Sequence, residues 1–600
     1  MPSVIKSEGR RTPPDWAVKQ RHLIDMMNRA ASDFVSRYTR SDGTLIWKDQ
    51  WPGMDGSDDG YESFLSFPLL YLLGGSEELH TLARRLWNSV TWQFTQYGQV
   101  ENEYDGYYDW MHHGESSTYF YYLAMCDPEH FTDRARALRF AGLYTGDDPA
   151  APNWDPEQKM IRSPINGSRG PQFEMSATDW VTHRHILANY LAPYEDIPGF
   201  DSSDPLACAD WNDDEMFARI LKLMNSRMVP GDVPLNLNAT SLVANAYLYS
   251  GEERYRSWVI DYLDTWRKHT RKNNGIMPDN VGPNGVIGEL MDGKWWGGYY
   301  GWRWPHGSMN VLESTCVAGS NATMLTGDTS WLDLHRSQGD LLWSLRQEKD
   351  GKAVVPKRHG DTGWYDYQRP IAHHPIHLWY MTRSDDDRRR LEAWFPDRSE
   401  WYSAPPVFGK SGHFWPERWY GYIAGENPGF PDQVLDDTFT CMQNRLNKID
   451  ADDWSQIDSW DVHHWQDLNP VVPEGMVQMA MGTPAAIYHG GLLHASVRYF
   501  DPTKKRPGLP DGVAALVYEL RDDGIGLELV NTDPLVGRTV TVQAGAFGEH
   551  KFTSVDAEGG DTTTIDGGSF NVDMAPGSRL RMSVGLDRFA GNPSYAFPEM

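Results

Sequence analysis

Through about residue 490, apolar side chains recur every three or four positions, the spacing of one face of a helix. Leu79, Leu82, Leu86 and Val90 keep that step, as do Tyr255, Trp258, Tyr262 and Trp266. These one-sided segments alternate with segments that are apolar or small nearly all round: residues 61–73, 115–125, 239–249, 308–325 and 371–381. Glu174–Tyr190 and Glu474–Met481 are further candidates of the second kind. A helix without a polar face is one enclosed on every side. The junctions share a grammar of apolar end, small-residue break, acidic turn and amphipathic restart. Examples are Leu72-Leu-Gly-Gly-Ser-Glu-Glu-Leu, Leu123-Ala-Met-Cys-Asp-Pro-Glu-His, Leu248-Tyr-Ser-Gly-Glu-Glu-Arg and Leu325-Thr-Gly-Asp-Thr-Ser-Trp. Where glycine is present it supplies a left-handed helix end, and the acidic or hydroxyl residues cap the next helix. Enclosed helices alternating with half-buried ones predict two concentric rings, a mainly α fold: an (α/α)6-7 toroid of helical hairpins over residues 1–500. An irregular solenoid or bundle is the alternative.

After residue 510 the period shortens. Val513-Ala-Ala-Leu-Val-Tyr-Glu-Leu, Gly526-Leu-Glu-Leu-Val, Arg538-Thr-Val-Thr-Val-Gln, Phe570-Asn-Val-Asp-Met and Arg579-Leu-Arg-Met-Ser-Val are short and mostly alternating or β-branched. Turn residues separate them, which predicts a small antiparallel β-sandwich over 510–600. The Pro- and Gly-rich stretch from Asp501 to Gly512 is the expected linker.

Charge then narrows the partners. Lys and Arg number 55 against 83 Asp and Glu, a net −28, which argues against a nucleic-acid or anionic-membrane surface. No apolar run approaches the ~20 residues of a membrane span. The first eleven residues lack the apolar middle of a secretory signal, and Cys126, Cys208, Cys316 and Cys441 form no close pair. A reduced, cytoplasmic setting is expected, or a periplasmic one for a chain whose leader has been removed. No Walker loop or dinucleotide fingerprint is present, so no cofactor is expected. The pairs His112-His113, His373-His374 and His463-His464 suggest metal ligands, but adjacent histidines seldom hold one ion together. Neither H-E-x-x-H nor H-x-x-E-H occurs, and no metal is expected. The sequence does not bear on oligomeric state.

The candidate chemistry lies in the segments leading into the enclosed helices. They include Trp51-Pro-Gly-Met-Asp-Gly-Ser-Asp-Asp-Gly, Glu101-Asn-Glu-Tyr-Asp-Gly-Tyr-Tyr-Asp-Trp-Met-His-His-Gly-Glu and Leu235-Asn-Leu-Asn. Further along come Lys294-Trp-Trp-Gly-Gly-Tyr-Tyr-Gly-Trp-Arg-Trp-Pro-His-Gly, Trp364-Tyr-Asp-Tyr-Gln-Arg-Pro-Ile-Ala-His-His-Pro and Trp460-Asp-Val-His-His-Trp. The chain has 26 Trp, 29 Tyr and 21 Phe, and these loops are dense in them. Loops at one mouth of a rigid ring are where binding and catalytic groups belong, and flat rings suit sugar faces. Each cluster also has a structural reading: the early aspartates as helix caps, the tryptophans as packing, a single histidine as a hydrogen-bonded core residue.

With Gly106-Tyr-Tyr-Asp-Trp-Met-His-His-Gly-Glu-Ser-Ser-Thr-Tyr and the 298–307 loop, this layout resembles the (α/α)-toroid carbohydrate-active enzymes that carry a C-terminal β-sandwich, uronate lyases and unsaturated glucuronyl hydrolases among them. The resemblance implies an enzyme acting on acidic, uronate-containing oligosaccharides. Elimination beside a uronate needs its carboxylate neutralised, a base for the C5 proton and an acid for the departing oxygen. His113, Tyr300, His306, Arg303 and Tyr119 form the expected catalytic set. A tyrosine base would need a neighbouring cation to lower its pKa from ~10. Asp58, Asp59, Glu115, Asn238, Trp302, Trp304, Tyr365, Arg369, His374 and His464 form the expected substrate-binding set. Hydrolysis by paired carboxylates, drawn from Asp58, Asp59, Asp109, Glu115 and Asp366, is the alternative. A non-catalytic sugar-binding toroid is the second.

Overall fold

The computed structural model describes residues 3–403, 407–408 and 413–600. A ring of helical hairpins occupies most of the chain, each hairpin pairing a half-buried outer helix with an enclosed inner one. In chain order the ring helices are α1 (Asp15–Tyr38), α2 (Ser66–Leu72), α3 (Glu77–Gln96), α4 (Trp110–Cys126), α5 (Phe131–Thr145) and α6 (Ala239–Ser250). They continue as α7 (Glu253–Lys272), α8 (Ser308–Thr326), α9 (Asp333–Ser344), α10 (His373–Thr382), α11 (Phe430–Ala451) and α12 (Glu474–Met481). Even-numbered helices form the inner ring. Every residue of α2 and α12 is buried, as are almost all of α4 and α8 and nine of the twelve in α6. Odd-numbered helices show one buried face, as their spacing predicts: Leu79, Ala83, Leu86 and Val90 in α3, and Tyr255, Trp258, Tyr262 and Trp266 in α7. Burying one such side chain contributes roughly 1.5–3 kcal/mol.

The ring closes through polar bonds. Ahead of α12, Asn469 donates from Nδ2 to Ser63 O (3.0 Å) and Ser66 Oγ (2.8 Å) at the start of α2. Gln466 donates from Nε2 to Asp59 Oδ1 (2.6 Å) and Glu62 Oε2 (2.7 Å). The expected inner helix Glu174–Tyr190 is absent. The segment holds a 3-10 turn, Ala177–Trp180, and a single helical turn, Arg184–Leu187, within the long excursion between α5 and α6. Its polar residues explain this: Ser176 and Asp179 close a capping box that starts the short turn, and most of its side chains meet solvent.

The β-sandwich follows the ring. One sheet runs Val4–Ser7, Ser569–Met574, Arg538–Ala544, Val497–Asp501, Arg506–Pro507. The other runs Val513–Leu520, Gly524–Asn531, Arg579–Asp587, Lys551–Ala557, Thr562–Gly567. Pairing is antiparallel except that Val4–Ser7 lies parallel to Ser569–Met574, with Val4 opposite Asn571. Strands on both sides of the expected boundary thus meet in this sandwich. Ring and sandwich are joined by buried groups. Arg506 donates to the carbonyls of Tyr71 (3.1 Å) and Gly75 (2.7 Å), and Gln20 exchanges bonds of 3.1 and 3.0 Å with the Ala515 backbone. Among the described residues no helix is long and apolar enough to cross a membrane.

Candidate active site

A cavity of about 670 Å³ opens among the inner helices and the chain after α12. Each wall follows from a helix position. From α4 come Met111 and Glu115, from α8 Glu313, from α10 His373, His374 and His377, and from α12 Glu474. His306 precedes α8, and Tyr488 and His489 follow α12. Trp401, Trp415 and Phe414 give an apolar, aromatic side.

Its electrostatics divide the histidines. Nδ1 of His489 lies 2.9 Å from Glu313 Oε1, and Nε2 lies 3.6 Å from Glu115 Oε1. Burial would raise the Glu313 carboxyl, but His489 more than offsets this and holds it at about 2. Burial would lower His489, yet Glu313 and then Glu115 raise it above the usual imidazole value. The opposite holds for His306 and His374, which burial pushes down to about 3, and for His377, which it holds well below the usual imidazole value. One cavity therefore presents neutral imidazoles beside an imidazole paired to a carboxylate.

Behind Glu115 lies a denser acidic group. Asp109 caps α4, its Oδ1 accepting from the backbone N–H of Met111 (2.9 Å) and His112 (3.3 Å). The same oxygen lies 2.9 Å from His112 Nδ1, and Oδ2 accepts from Tyr299 Oη at 2.9 Å. Burial opposes the charge on His112, but Asp109 outweighs it and lifts the pKa to about 9. One oxygen each of Asp58 and Glu115 and one His112 ring nitrogen lie within 4.8 Å of one another, as do single oxygens of Asp55, Asp58 and Asp59.

The 294–307 loop is organised by Asp279. Its Oδ2 accepts from the backbone N–H of Gly297 (3.1 Å) and Trp302 (2.8 Å), and Oδ1 accepts from that of Gly298 (2.9 Å). The backbone wraps so closely that a Cβ at Gly298 or Gly301 would collide with Asp279. Tyr300 sits in left-handed backbone, φ +51°, with its ring 5.7 Å from that of His306.

Of the residues the sequence nominates, His306, Glu115, Arg369 and His374 line the cavity. Asp58 stands behind Glu115, and Tyr300 flanks His306. The others have different places. His113 is fully buried, Nε2 2.7 Å from Asn166 O and Nδ1 3.3 Å from Asp105 Oδ2. Tyr119 donates to Ala83 O at 2.6 Å between helices. Arg303, 3% exposed, donates to Ala192 O (3.2 Å) and Tyr365 Oη (2.8 Å), with Glu195 3.2 Å away. Trp302 donates to Met277 O at 2.7 Å, and Trp304 stacks on Trp211, so both are packing residues. Asn238 is buried beneath Trp110, Asp59 is held by Gln466, and His464 stacks on Trp460 beside Asp452. Tyr300, expected to have its pKa lowered, has it raised, first by burial and then by Asp109.

The sequence reading passed over Glu313, His377, Glu474, Tyr488 and His489. Glu313 did carry a signal, as the single charged residue of Ser308–Leu325. Tyr488 and His489 lie in an irregular stretch where no period marks a position.

The fold and cavity define a helical-ring protein with a β-sandwich and an imidazole- and carboxylate-lined site. Residues 4–477 match the model for a domain of unknown function, DUF8034, and the chain belongs to that family. No curated protein matches it. Solved structures it is similar to include a D-mannose isomerase, at 8% identity and TM-score 0.36 over 67% of this chain and 91% of that one. Another is the cellobiose 2-epimerase of Bacillus thermoamylovorans, at 13% and 0.22 over 60% and 100%. A third is a glycoside hydrolase family 76 (mannosidase) protein of Bacteroides thetaiotaomicron, at 11% and 0.33 over 76% and 99%.

Proposed function

We propose that this chain is a carbohydrate-active enzyme that moves protons at a sugar carbon, using His306 and His489 as its acid–base groups. That step is common to aldose–ketose isomerisation, epimerisation and β-elimination. The observation that carries it is the shared cavity: His306, held against Tyr300, and His489, oriented by Glu313, line one hollow large enough for a sugar. Near neutral pH His489, raised by its carboxylates, is placed to give a proton, and His306, held neutral by burial, to accept one. Glu313 fixes His489 as a carboxylate fixes a catalytic histidine, so that Nε2 is turned away from it. Trp415 and Trp401 offer apolar faces against which a pyranose or open chain can lie.

A neutral saccharide suits the cavity better than a uronate. Elimination requires a free cation for the substrate carboxylate, and Arg303 is engaged with Tyr365 and Glu195 elsewhere. Arg369 reaches the cavity but is paired with Glu400. Carboxylates of Glu115, Glu313, Glu417 and Glu474 would repel a second anion.

Hydrolysis is the second reading, favoured by Glu115 and Glu313, two carboxylates from different inner helices separated by one imidazole. A panel of neutral and uronate saccharides in deuterated water separates these reactions. Deuterium at a sugar carbon without new reducing ends supports proton transfer, and a 4,5-unsaturated product identifies the elimination branch. New reducing ends with neither carbon-bound deuterium nor an unsaturated product make the chain a hydrolase. His489→Gln and His306→Gln are each expected to lower exchange by about 10²-fold or more.

A further inference from the structure

We propose that Asp58, His112 and Glu115 form a divalent-cation site in the wall of the cavity. Their donor atoms lie within 4.8 Å of one another. Two ligand bonds of about 2.1 Å place donors up to ~4.2 Å apart, so small side-chain adjustments bring all three onto one ion. His112 and Glu115 are three apart on α4 and share a face, while Asp58 comes from the short helix Ser57–Glu62.

The second observation is Glu115 itself. It is 2% exposed, its Oε1 turned to His489, and its Oε2 has no hydrogen-bond partner among the described residues. A buried carboxylate oxygen left open beside another carboxylate is costly unless a cation meets it. Asp109 adds the outer support that metal-binding histidines require. Its Oδ1 holds Nδ1 of His112, so Nε2 is the ring atom left for an ion, and its Oδ2 is fixed by Tyr299.

Two carboxylates and one imidazole favour an ion of the zinc, cobalt or manganese kind over calcium, which takes more oxygens. Of the three ligands Glu115 lines the cavity, so the ion would sit behind it, one ligand away from substrate. In chemical role this rests on the proton-transfer reading: the ion would hold Glu115 in place beside His489, and His306 or His489 would take the proton from the carbon next to a sugar carbonyl. No electrons change hands, and the proton returns to the same or the adjacent carbon.

The test is calorimetric titration of the chelator-treated full chain with Co²⁺, followed by its visible absorption. One equivalent should bind to the wild type, and Asp58→Asn, His112→Gln and Glu115→Gln should each weaken binding by about 10- to 100-fold or more. Thermal melts without metal check that the variants are folded. Absence of binding to the wild type, or equal binding in folded variants, overturns the site. Carbon-bound deuterium in a chain that takes up no Co²⁺ removes the ion and leaves the proton-transfer reading. Co²⁺ bound at these residues without exchange on any saccharide does the reverse.

Discussion

Arg303→Met separates a structural from a catalytic arginine. The guanidinium donates to Tyr365 Oη at 2.8 Å and Ala192 O at 3.2 Å, and Glu195 Oε1 lies 3.2 Å away. Methionine keeps most of the apolar stem and removes every donor. Among the described residues Glu195 then keeps the backbone N–H of Asp361 at 2.8 Å, so a mostly buried carboxylate loses its counter-charge. Breaking one side of such a pair costs about 3–5 kcal/mol. Glu195→Gln alone removes the carboxylate charge, and the double variant should recover part of the loss. A coupling of about 1–3 kcal/mol in a denaturant-unfolding cycle is expected. Turnover of the folded variant on its best saccharide should stay within a few-fold of wild type. A variant of unchanged stability whose turnover falls a thousandfold would return Arg303 to the chemistry and refute the reasoning.

Glu313→Gln should lower kcat by about 10²-fold with little change in KM, because it frees His489 from its orienting carboxylate without touching the cavity's apolar side. An effect confined to KM would mean that Glu313 binds substrate instead. Burial raises the Glu549 carboxyl to about 7, so the folded chain keeps a proton that the unfolded chain has released above its ordinary ~4.3. The folded state then binds more protons, and this group lowers stability as pH rises from about 4 to 7. Glu549→Gln should flatten that slope in unfolding curves measured across the window, and parallel curves would count against it. Asp279→Ala removes the acceptor for three backbone donors in the 297–302 turn. Their amide hydrogen-exchange protection should fall at least about 30-fold, which corresponds to ~2 kcal/mol of local opening, and unchanged protection would show that Asp279 does not hold the turn.

The ring was legible because its signal is repetitive and apolar. Residues 239–249 and 308–325 lack a polar face, and α6 and α8 are the enclosed helices that pattern requires. Glu174–Tyr190 misled because Trp180, Ile186 and Leu187 imitate a buried face, whereas the turn that Ser176 and Asp179 start stops at Trp180 and most of the segment meets solvent. The site was less legible for a chemical reason. Tryptophan and tyrosine pack cores and stack on sugars equally well, so Trp302 and Trp304 could not be told from cavity residues by type. His112 and His113 are neighbours in sequence, but their side chains leave α4 in different directions, one to Asp109 and one to Asp105 and Asn166. Glu313 and His489 are 176 positions apart, and only the closed ring brings them together.

The parallel pairing of Val4–Ser7 with Ser569–Met574 sets an order on biosynthesis. The opening strand finds its mate only after the ring and most of the sandwich have been translated. Until then it leaves the ribosome as an unsatisfied ribbon, and helix-by-helix growth has to proceed beside it. Final docking of that ribbon is a late, long-range latch, and trimming it should expose the flank of Ser569–Met574 to intermolecular pairing.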